Sequence, residues 1–279
     1  MQKRVAAIHD ISGIGKCSLT AAIPIISAAG IEAAVMPTAV LSTHTGDILG
    51  FTYRDLTADL VPFMNHWKSL GVKFDGIYSG FLGSVQQVDI VCDFIDEFRS
   101  EDTVVVVDPA MADSGKMYKT FDEFFAKEMI RLCKKADIIV PNITEAAFML
   151  DVEYREAPHS KEYIEMLLSG LVDLGVQMVV LTGVSFGDDD IGCAVKCGND
   201  ETCYYSSQKY GGIYYGTGDI FASALTGAYL RGCSICRSAE IALDFTCGAI
   251  RRTFEAGTDT RLGVNFESGL IDYIKSLGE

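Results

Sequence analysis

A glycine turn followed by an acidic residue stands at the start of a helical pattern in the segment YYGTGDIFASALTGAYLRG, residues 214–232. The successive N–H groups of a Gly-x-Gly turn and the N-terminus of the following helix can together bind an anion. Asp219 can be a simple N-cap of that helix. It can equally be a base that takes a hydroxyl proton while the amides hold a phosphoryl group. Spacing alone leaves both interpretations open.

A second glycine-rich segment, HDISGIGKCSLT, follows the apolar run Val5–Ile8. It resembles the end of a P-loop, but that motif needs a glycine where Asp10 stands and a hydroxyl residue where Cys17 stands. Asp10 repels phosphate, and a thiol is a poor ligand for magnesium. The segment therefore predicts a turn that approaches another ligand closely, or a tight corner. Lys16 is predicted to be exposed.

Composition narrows the class of protein. The chain has 279 residues and 49% hydrophobic residues, enough for one sizeable α/β core. A net charge of −15 with no basic cluster argues against a nucleic-acid partner. No apolar run reaches the roughly 18 residues of a membrane span, and the N-terminus lacks a signal-peptide pattern. We expect a cytosolic protein without a membrane partner.

Nine cysteines are scattered along the chain, and Cys233 and Cys236 form the only CxxC pair. A zinc site needs about four ligands, and no second pair or nearby histidine supplies them. Reduced, mostly buried thiols are therefore the prediction.

Short β-rich runs alternate with helical patterns, which predicts an open, mostly parallel α/β sheet with helices on both faces. The predicted strands are residues 5–8, 33–40, 76–80, 103–108, 137–142 and 178–183. The predicted helices between them are residues 55–70, 84–99, 121–135 and 161–174. Residues 191–196 and 202–208 predict a small antiparallel hairpin at one edge. Helices over 219–231, 234–254 and 265–276 then end a single predicted domain, residues 1–279.

Besides the turn Gly216–Asp219 (the GTGD turn), four other segments bear on the function. Ser79–Ser84 (SGFLGS), Asp108–Tyr118 (DPAMADSGKMY), Pro141–Leu150 (PNITEAAFML) and Leu41–Gly46 (LSTHTG) occur at the ends of predicted strands. With GTGD, these segments resemble the pyridoxal kinase branch of the ribokinase-like superfamily over nearly the whole chain. The resemblance implies that ATP and Mg²⁺ phosphorylate the 5′-hydroxymethyl group of pyridoxal, pyridoxine or pyridoxamine, in salvage of pyridoxal 5′-phosphate. It also suggests a homodimer.

The resemblance assigns roles to residues. Asp219 is the expected base, and the amides of Gly216, Thr217 and Gly218 are expected to stabilise the transferring phosphoryl group. Glu145 is expected to help hold magnesium, partly through water. The other expected ATP contacts are Asp108, Asp113, Tyr118, Asn142, Thr182 and Gly183. Residues 113–118 match a flexible loop that closes over ATP.

The same resemblance places the vitamer near the first strand. Asp10 and Ser12 are the expected contacts to the ring nitrogen or 3-oxygen, with Thr45 and its neighbour His44 beside them. Asp10 stands where the bacterial relatives carry serine, so it can favour a protonated ring or the amine of pyridoxamine.

Each assignment has an ordinary structural alternative. Asn142 and Glu145 can form a plain helix start, Asp108 and Thr182 can end strands in turns, and His44 can be a satisfied loop histidine.

Three other functions compete. A hydroxymethylpyrimidine kinase shares the fold and the base, although DPAMADSGKMY favours the pyridoxal branch. A non-catalytic vitamin-binding protein would need neither Asp219 nor Glu145. A dinucleotide-dependent dehydrogenase lacks support, because no third spaced glycine follows Gly13 and Gly15.

Overall fold

A computed structural model describes residues 2–119 and 121–278; the ends of the predicted domain, Met1 and Glu279, and Thr120 lie outside the described residues. The chain forms a nine-stranded sheet in the order β11-β10-β9-β8-β5-β4-β1-β2-β3. Its strands are β1 (Arg4–Ile14), β2 (Glu32–Thr43), β3 (Tyr53–Asp55), β4 (Gly76–Ser79), β5 (Val104–Val107), β8 (Ile138–Ile139), β9 (Met178–Val184), β10 (Asp190–Cys197) and β11 (Cys203–Gln208). A separate hairpin consists of β6 (Ala112–Asp113) and β7 (Lys116–Met117).

The central strands are parallel, and the two edges are antiparallel. β2, β1, β4, β5, β8 and β9 run in parallel register. β10 and β11 add the antiparallel hairpin at one edge, and β3 pairs antiparallel with β2 at the other. The predicted fold class and edge hairpin are confirmed, whereas β3 was not predicted and overlaps the helix predicted over 55–70 at Asp55.

Helices cover both faces of the sheet because side chains alternate between two cores. On β1, Ala6 and Ile8 belong to one core and Val5 to the other, and all three are fully buried. The helices are α1 (Ser18–Ala28), α2 (Thr57–Ser69), α3 (Val85–Phe98), α4 (Glu123–Cys133), α5 (Ile143–Leu150), α6 (Lys161–Asp173), α7 (Thr217–Leu230), α8 (Ile235–Ala256) and α9 (Leu270–Ser276). Across residues 2–119 and 121–278, no helix combines the length and the apolar character needed to cross a membrane.

Several predicted boundaries are wrong; the strand predicted over 137–142, for example, is limited to Ile138–Ile139. β1 does not end at Ile8 but continues to Ile14 through a bulge between His9 and Ile11, because it pairs with a longer β2. Helix α2 begins at Thr57, since Asp55 belongs to the edge strand and accepts a hydrogen bond from the Thr57 N–H at 2.8 Å. The last predicted helix is a 3₁₀ turn, Glu267–Gly269, followed by α9.

The prediction that the cysteines are reduced is wrong for one pair. Cys203 on β11 and Cys236 near the start of α8 form a disulfide with 6.4 Å between their Cα atoms. Cys233, the other member of the CxxC pair, remains a free thiol. The partners are 33 residues apart in sequence, which is why spacing did not reveal the pairing.

Removing this disulfide is expected to lower the free energy of unfolding. A cross-link that closes a loop of this length restricts the unfolded chain and stabilises the fold by about 2–4 kcal/mol. Urea unfolding of Cys203→Ser should show this loss, and a reductant should reduce the stability of the native protein to the same level. Cys233→Ser is the control, and it should keep its response to reductant. Equal stability of the native protein with and without reductant would contradict the prediction.

Candidate active site

A cleft of about 340 Å³ lies at the carboxyl ends of the parallel strands. It is bounded by the β6–β7 hairpin, the start of α7 and one face of α8. The predicted residues that line this cleft are Asp108, Asp113, Tyr118, Asn142, Glu145, Thr182, Gly183, Gly216, Thr217, Gly218 and Asp219. All the predicted catalytic and nucleotide positions therefore share one cavity, although they come from segments more than a hundred residues apart.

The GTGD turn opens α7. Gly216 is the N-cap residue with φ of +74°, and Asp219 is the third helical residue. A Cβ on Gly216 would lie 2.2 Å from the backbone oxygen of Lys16, so only glycine fits. The first N–H groups of a helix have no partner within the helix, and the residues at this helix start, Gly216, Thr217 and Gly218, line the cleft. A helix start of this kind can bind an anion.

Asp219 has the electrostatics of a base that works near neutral pH. Burial raises the pKa of its carboxyl to about 7, and the negative charge of Asp10 acts in the same direction. A hydrogen bond from the backbone N–H of Ser18 opposes the rise in pKa by stabilising the carboxylate. The side chain keeps 16% exposure, which leaves one edge open to a ligand.

Part of the glycine-rich segment packs against the GTGD turn. The residues between β1 and α1 pack directly under Gly216, as the close approach to the Lys16 oxygen shows. The Lys16 side chain bonds to Asn265 and Glu267, both at 3.0 Å, and lines no part of the cleft. The segment therefore forms the end of β1, the turn at residues 15–17 and the start of α1, and it is not a phosphate-binding P-loop.

Asn142 and Glu145 do form a helix start, and they also line the cleft. They make a reciprocal capping box at the N-terminus of α5. The Glu145 carboxylate accepts hydrogen bonds from the N–H groups of Met111 at 3.1 Å and Asn142 at 2.8 Å. The Asn142 side-chain amide donates to the Ala112 oxygen at 2.9 Å. The same two side chains thus cap a helix and fix the base of the β6–β7 hairpin.

Residues 113–118, which the resemblance matched to a flexible loop over ATP, form most of the β6–β7 hairpin. Ser114 and Gly115 form its two-residue turn with φ of +51° and +74°, the combination that a type I′ hairpin requires. The Gly115 N–H donates to the Thr144 hydroxyl at 3.0 Å. The hairpin is attached to the start of α5 at both its base and its tip, so any closure over a ligand moves it as a unit.

Four carboxylates, Asp108, Asp113, Glu145 and Asp219, line the cleft. The pKa of Asp108 is raised well above its usual value by burial and by the negative charges of Glu145 and Asp219. Burial also raises the pKa of Glu145 to about 8. Among the described residues, no group of three or more histidine, cysteine or acidic side chains is arranged to hold a metal ion. Oxygen donors and uncompensated negative charge nevertheless fit a hydrated magnesium ion, which keeps several waters.

The predicted vitamer contacts lie beside this cleft and not on its wall. Asp10 is 5% exposed at the bulge of β1, and burial raises the pKa of its carboxyl. Ser12 is fully buried, and its hydroxyl has no partner among the described residues. His44 is half-buried and its Nε2 bonds to the Arg261 oxygen, while Thr45 is exposed.

Two parts of the cleft wall were not among the predicted site residues, although the sequence left open whether Tyr214 and Tyr215 shape a pocket or pack in a loop. Tyr215 stacks against His44 with ring centroids 5.2 Å apart and bonds to Asp47, which connects the β2–β3 loop to the GTGD turn. One face of α8 also lines the cleft with Leu243, Thr246, Cys247 and Ile250. Their i, i+3, i+4, i+7 spacing is typical of any helix face that packs against a core. The sequence therefore did not distinguish these four residues as part of a cleft.

Comparisons with known proteins identify a matching family and several relatives. The model of the family described as phosphomethylpyrimidine kinase matches residues 16–263. A solved protein from Bacteroides thetaiotaomicron, provisionally named a phosphomethylpyrimidine kinase and crystallised with pyridoxal, is 38% identical. The alignment covers 100% of this chain and 96% of that one, with a TM-score of 0.92.

Two more distant relatives are named pyridoxal kinases. Pyridoxal kinase from Lactobacillus plantarum is 29% identical, with 99% of this chain and 98% of that chain covered and a TM-score of 0.90. Pyridoxal kinase from Dictyostelium discoideum is 26% identical over 60% of this chain. The chain spans 57–66% of the length of the curated relatives that it matches.

Proposed function

The chain belongs to the phosphomethylpyrimidine kinase family, and we propose that within it the protein transfers the γ-phosphoryl group of ATP to the 5′-hydroxymethyl group of a B6 vitamer. The observation that carries the proposal is the position of Asp219 at the start of α7, beside the N–H groups of an anion site and with a pKa of about 7. The relatives named as pyridoxal kinases support the choice of vitamer.

In this mechanism each group of residues has its own role. Asp219 accepts the hydroxyl proton as the oxygen attacks phosphorus. The amides of Gly216, Thr217 and Gly218 stabilise the negative charge on the transferring group. The β6–β7 hairpin, with Asp113 and Tyr118, covers the nucleotide side and excludes water. Asp108, Asn142, Thr182 and Gly183 complete the nucleotide site.

Magnesium supplies charge neutralisation for the phosphates when it is bound. Glu145 would hold it, through water, since both of its carboxylate oxygens already accept backbone hydrogen bonds. The mutual repulsion of Asp108, Glu145 and Asp219 is then reduced by the cation, which is the physical reason for expecting one in this cleft.

We also propose that the vitamer occupies the side of the cleft next to Asp10, Ser12, His44 and Thr45, and that the protein is a homodimer. Asp10 and Asp219 interact electrostatically, so a ring held by Asp10 can present its hydroxymethyl group to Asp219. Large exposed apolar side chains near the β3 edge, including Leu49, Tyr53 and Phe63, provide a surface that a second copy can cover.

The function is tested by measuring ATP consumption with pyridoxal, pyridoxine, pyridoxamine and hydroxymethylpyrimidine, with and without Mg²⁺. Turnover of a B6 vitamer supports the proposal. Turnover of the pyrimidine alone would establish the second candidate, a kinase of thiamine synthesis, which the family description itself favours. Binding of a vitamer without any ATP consumption would instead identify a vitamin-binding protein.

Replacing Asp10 with Ser is expected to shift kcat/KM toward pyridoxal and away from pyridoxamine by about tenfold, the size of one lost charge-assisted hydrogen bond. A buried carboxylate selects a cationic ring or amine, and serine removes that preference. Asp10→Asn is the matched control for shape, and it should move the ratio as Ser does. An unchanged ratio in both variants would show that Asp10 does not contact the vitamer.

A further inference from the structure

A buried histidine lies directly beneath the proposed base. His9 on β1 is fully buried, and its ring meets the edge of Tyr78 on β4 with centroids 4.4 Å apart. Gly80 leaves the space that the ring fills, because a Cβ there would lie 2.0 Å from His9 Cε1. Packing therefore fixes the orientation of the imidazole.

Neither nitrogen of this ring has a hydrogen-bond partner among the described residues. A buried polar group without a partner destabilises a fold, so such a group needs an explanation. His9 Nδ1 lies 3.8 Å from Asp219 Oδ1. That separation exceeds a hydrogen bond, but catalytic hydrogen bonds in unliganded enzymes are often long and shorten when the substrate binds.

The imidazole is neutral at physiological pH, because burial lowers the pKa of His9 to about 3. It can therefore offer Asp219 one N–H group and no positive charge. The other titratable groups that act on Asp219 or are affected by it are Asp10, Cys17, Tyr78, Asp108 and Tyr118. None of these five groups is a cation.

We propose that His9 is a positioning residue for Asp219: its neutral imidazole, protonated on Nδ1, donates a hydrogen bond to the Asp219 carboxylate in the ternary complex. This inference rests on the role proposed above for Asp219 as base. The hydrogen bond holds Oδ1, so that Oδ2 faces the substrate hydroxyl and receives its proton, while His9 keeps its own proton. It also favours the ionised carboxylate, which is the form that can act as a base.

Three substitutions separate this role from packing. The amide nitrogen of Asn replaces the donor at Nδ1, that of Gln replaces a donor near Nε2, and Leu removes both. His9→Leu and His9→Gln should lose about 10–100-fold in kcat, the usual range for a residue that orients a functional group. In both variants, the acidic limb of the pH profile of kcat/KM should move to higher pH. His9→Asn should stay within about threefold of the native protein with its acidic limb unmoved.

Equal losses in the Asn and Leu variants, with an unmoved acidic limb, would show that His9 only packs the core and would overturn the proposal. The variants are assayed with whichever alcohol the native protein phosphorylates, so failure of the vitamer assignment leaves this test intact. An independent measurement needs no activity: ¹⁵N NMR of the unliganded protein should show a neutral His9 ring with its proton on Nδ1. A proton on Nε2 would overturn the proposal while leaving the role of Asp219 untouched.

Discussion

Replacing Asp219 with Asn is expected to lower kcat by about 10²–10⁴-fold, the contribution typical of a positioned general base. The amide preserves shape and packing at the start of α7 but cannot accept the hydroxyl proton. Binding should be little affected, so calorimetry with ADP and the vitamer should give dissociation constants close to those of the native protein. A variant that binds both ligands and retains native kcat would show that another group takes the proton.

The pH dependence of the native enzyme follows from the same side chain. Because the base must be ionised, kcat/KM should rise as pH increases through about 7, the pKa of Asp219, and then level off. The Asp219→Asn variant should lack this rise of kcat/KM with pH. If kcat/KM of the native enzyme instead rose around the usual pKa of a carboxyl group, Asp219 would not be the titrating base.

Asp219→Asn should also stabilise the fold at neutral and higher pH. A carboxyl whose pKa is raised in the folded state destabilises that state once the pH exceeds the unfolded pKa of 3.8, and the loss is complete above about 7. The gain in Tm of the variant should therefore be largest above pH 7 and vanish near pH 4. A gain in stability together with a loss of activity is expected where a strained or desolvated group serves catalysis.

Replacing Gly216 with Ala is expected to lower kcat by about 10²–10³-fold, as when one donor of an anion site is lost. The new Cβ would lie 2.2 Å from the Lys16 oxygen, and its backbone angle of +74° disfavours any L side chain. The turn must then move away from the β1–α1 segment, which displaces the amides from the phosphoryl position.

Gly232→Ala at the other end of α7 is the matched control. Gly232 also has a positive φ, +101°, but a Cβ there would meet nothing within 4 Å. Its Tm should fall by an amount set by backbone strain alone, with kcat unchanged. If Gly216→Ala lost only stability, in the same measure as Gly232→Ala, the anion site would not depend on this turn.

Local chemistry in the sequence predicted much of this architecture. Apolar runs that alternate with helical patterns predict a parallel sheet, because both periodicities are properties of short segments. Polar residues just past strand ends predict a shared cleft, since parallel strands end at the same edge. This is why Asp108, Asn142 and Thr182, far apart in the chain, were expected at one edge, whereas Asp219 was identified from the GTGD turn and the family resemblance. The Gly-x-Gly turn before α7 is equally local, because a positive φ at Gly216 needs no distant partner to be recognised.

The tertiary structure decided what depends on contacts between distant segments. β1 continues through Asp10 and Ser12 because β2 offers it backbone partners, which no pattern within β1 reveals. The Cys203–Cys236 disulfide, the α8 wall of the cleft and the 3.8 Å approach of His9 to Asp219 arise in the same way. Spacing along a chain limits which residues can do chemistry, but packing determines which of them meet, and burial among those neighbours sets the pKa at which they act.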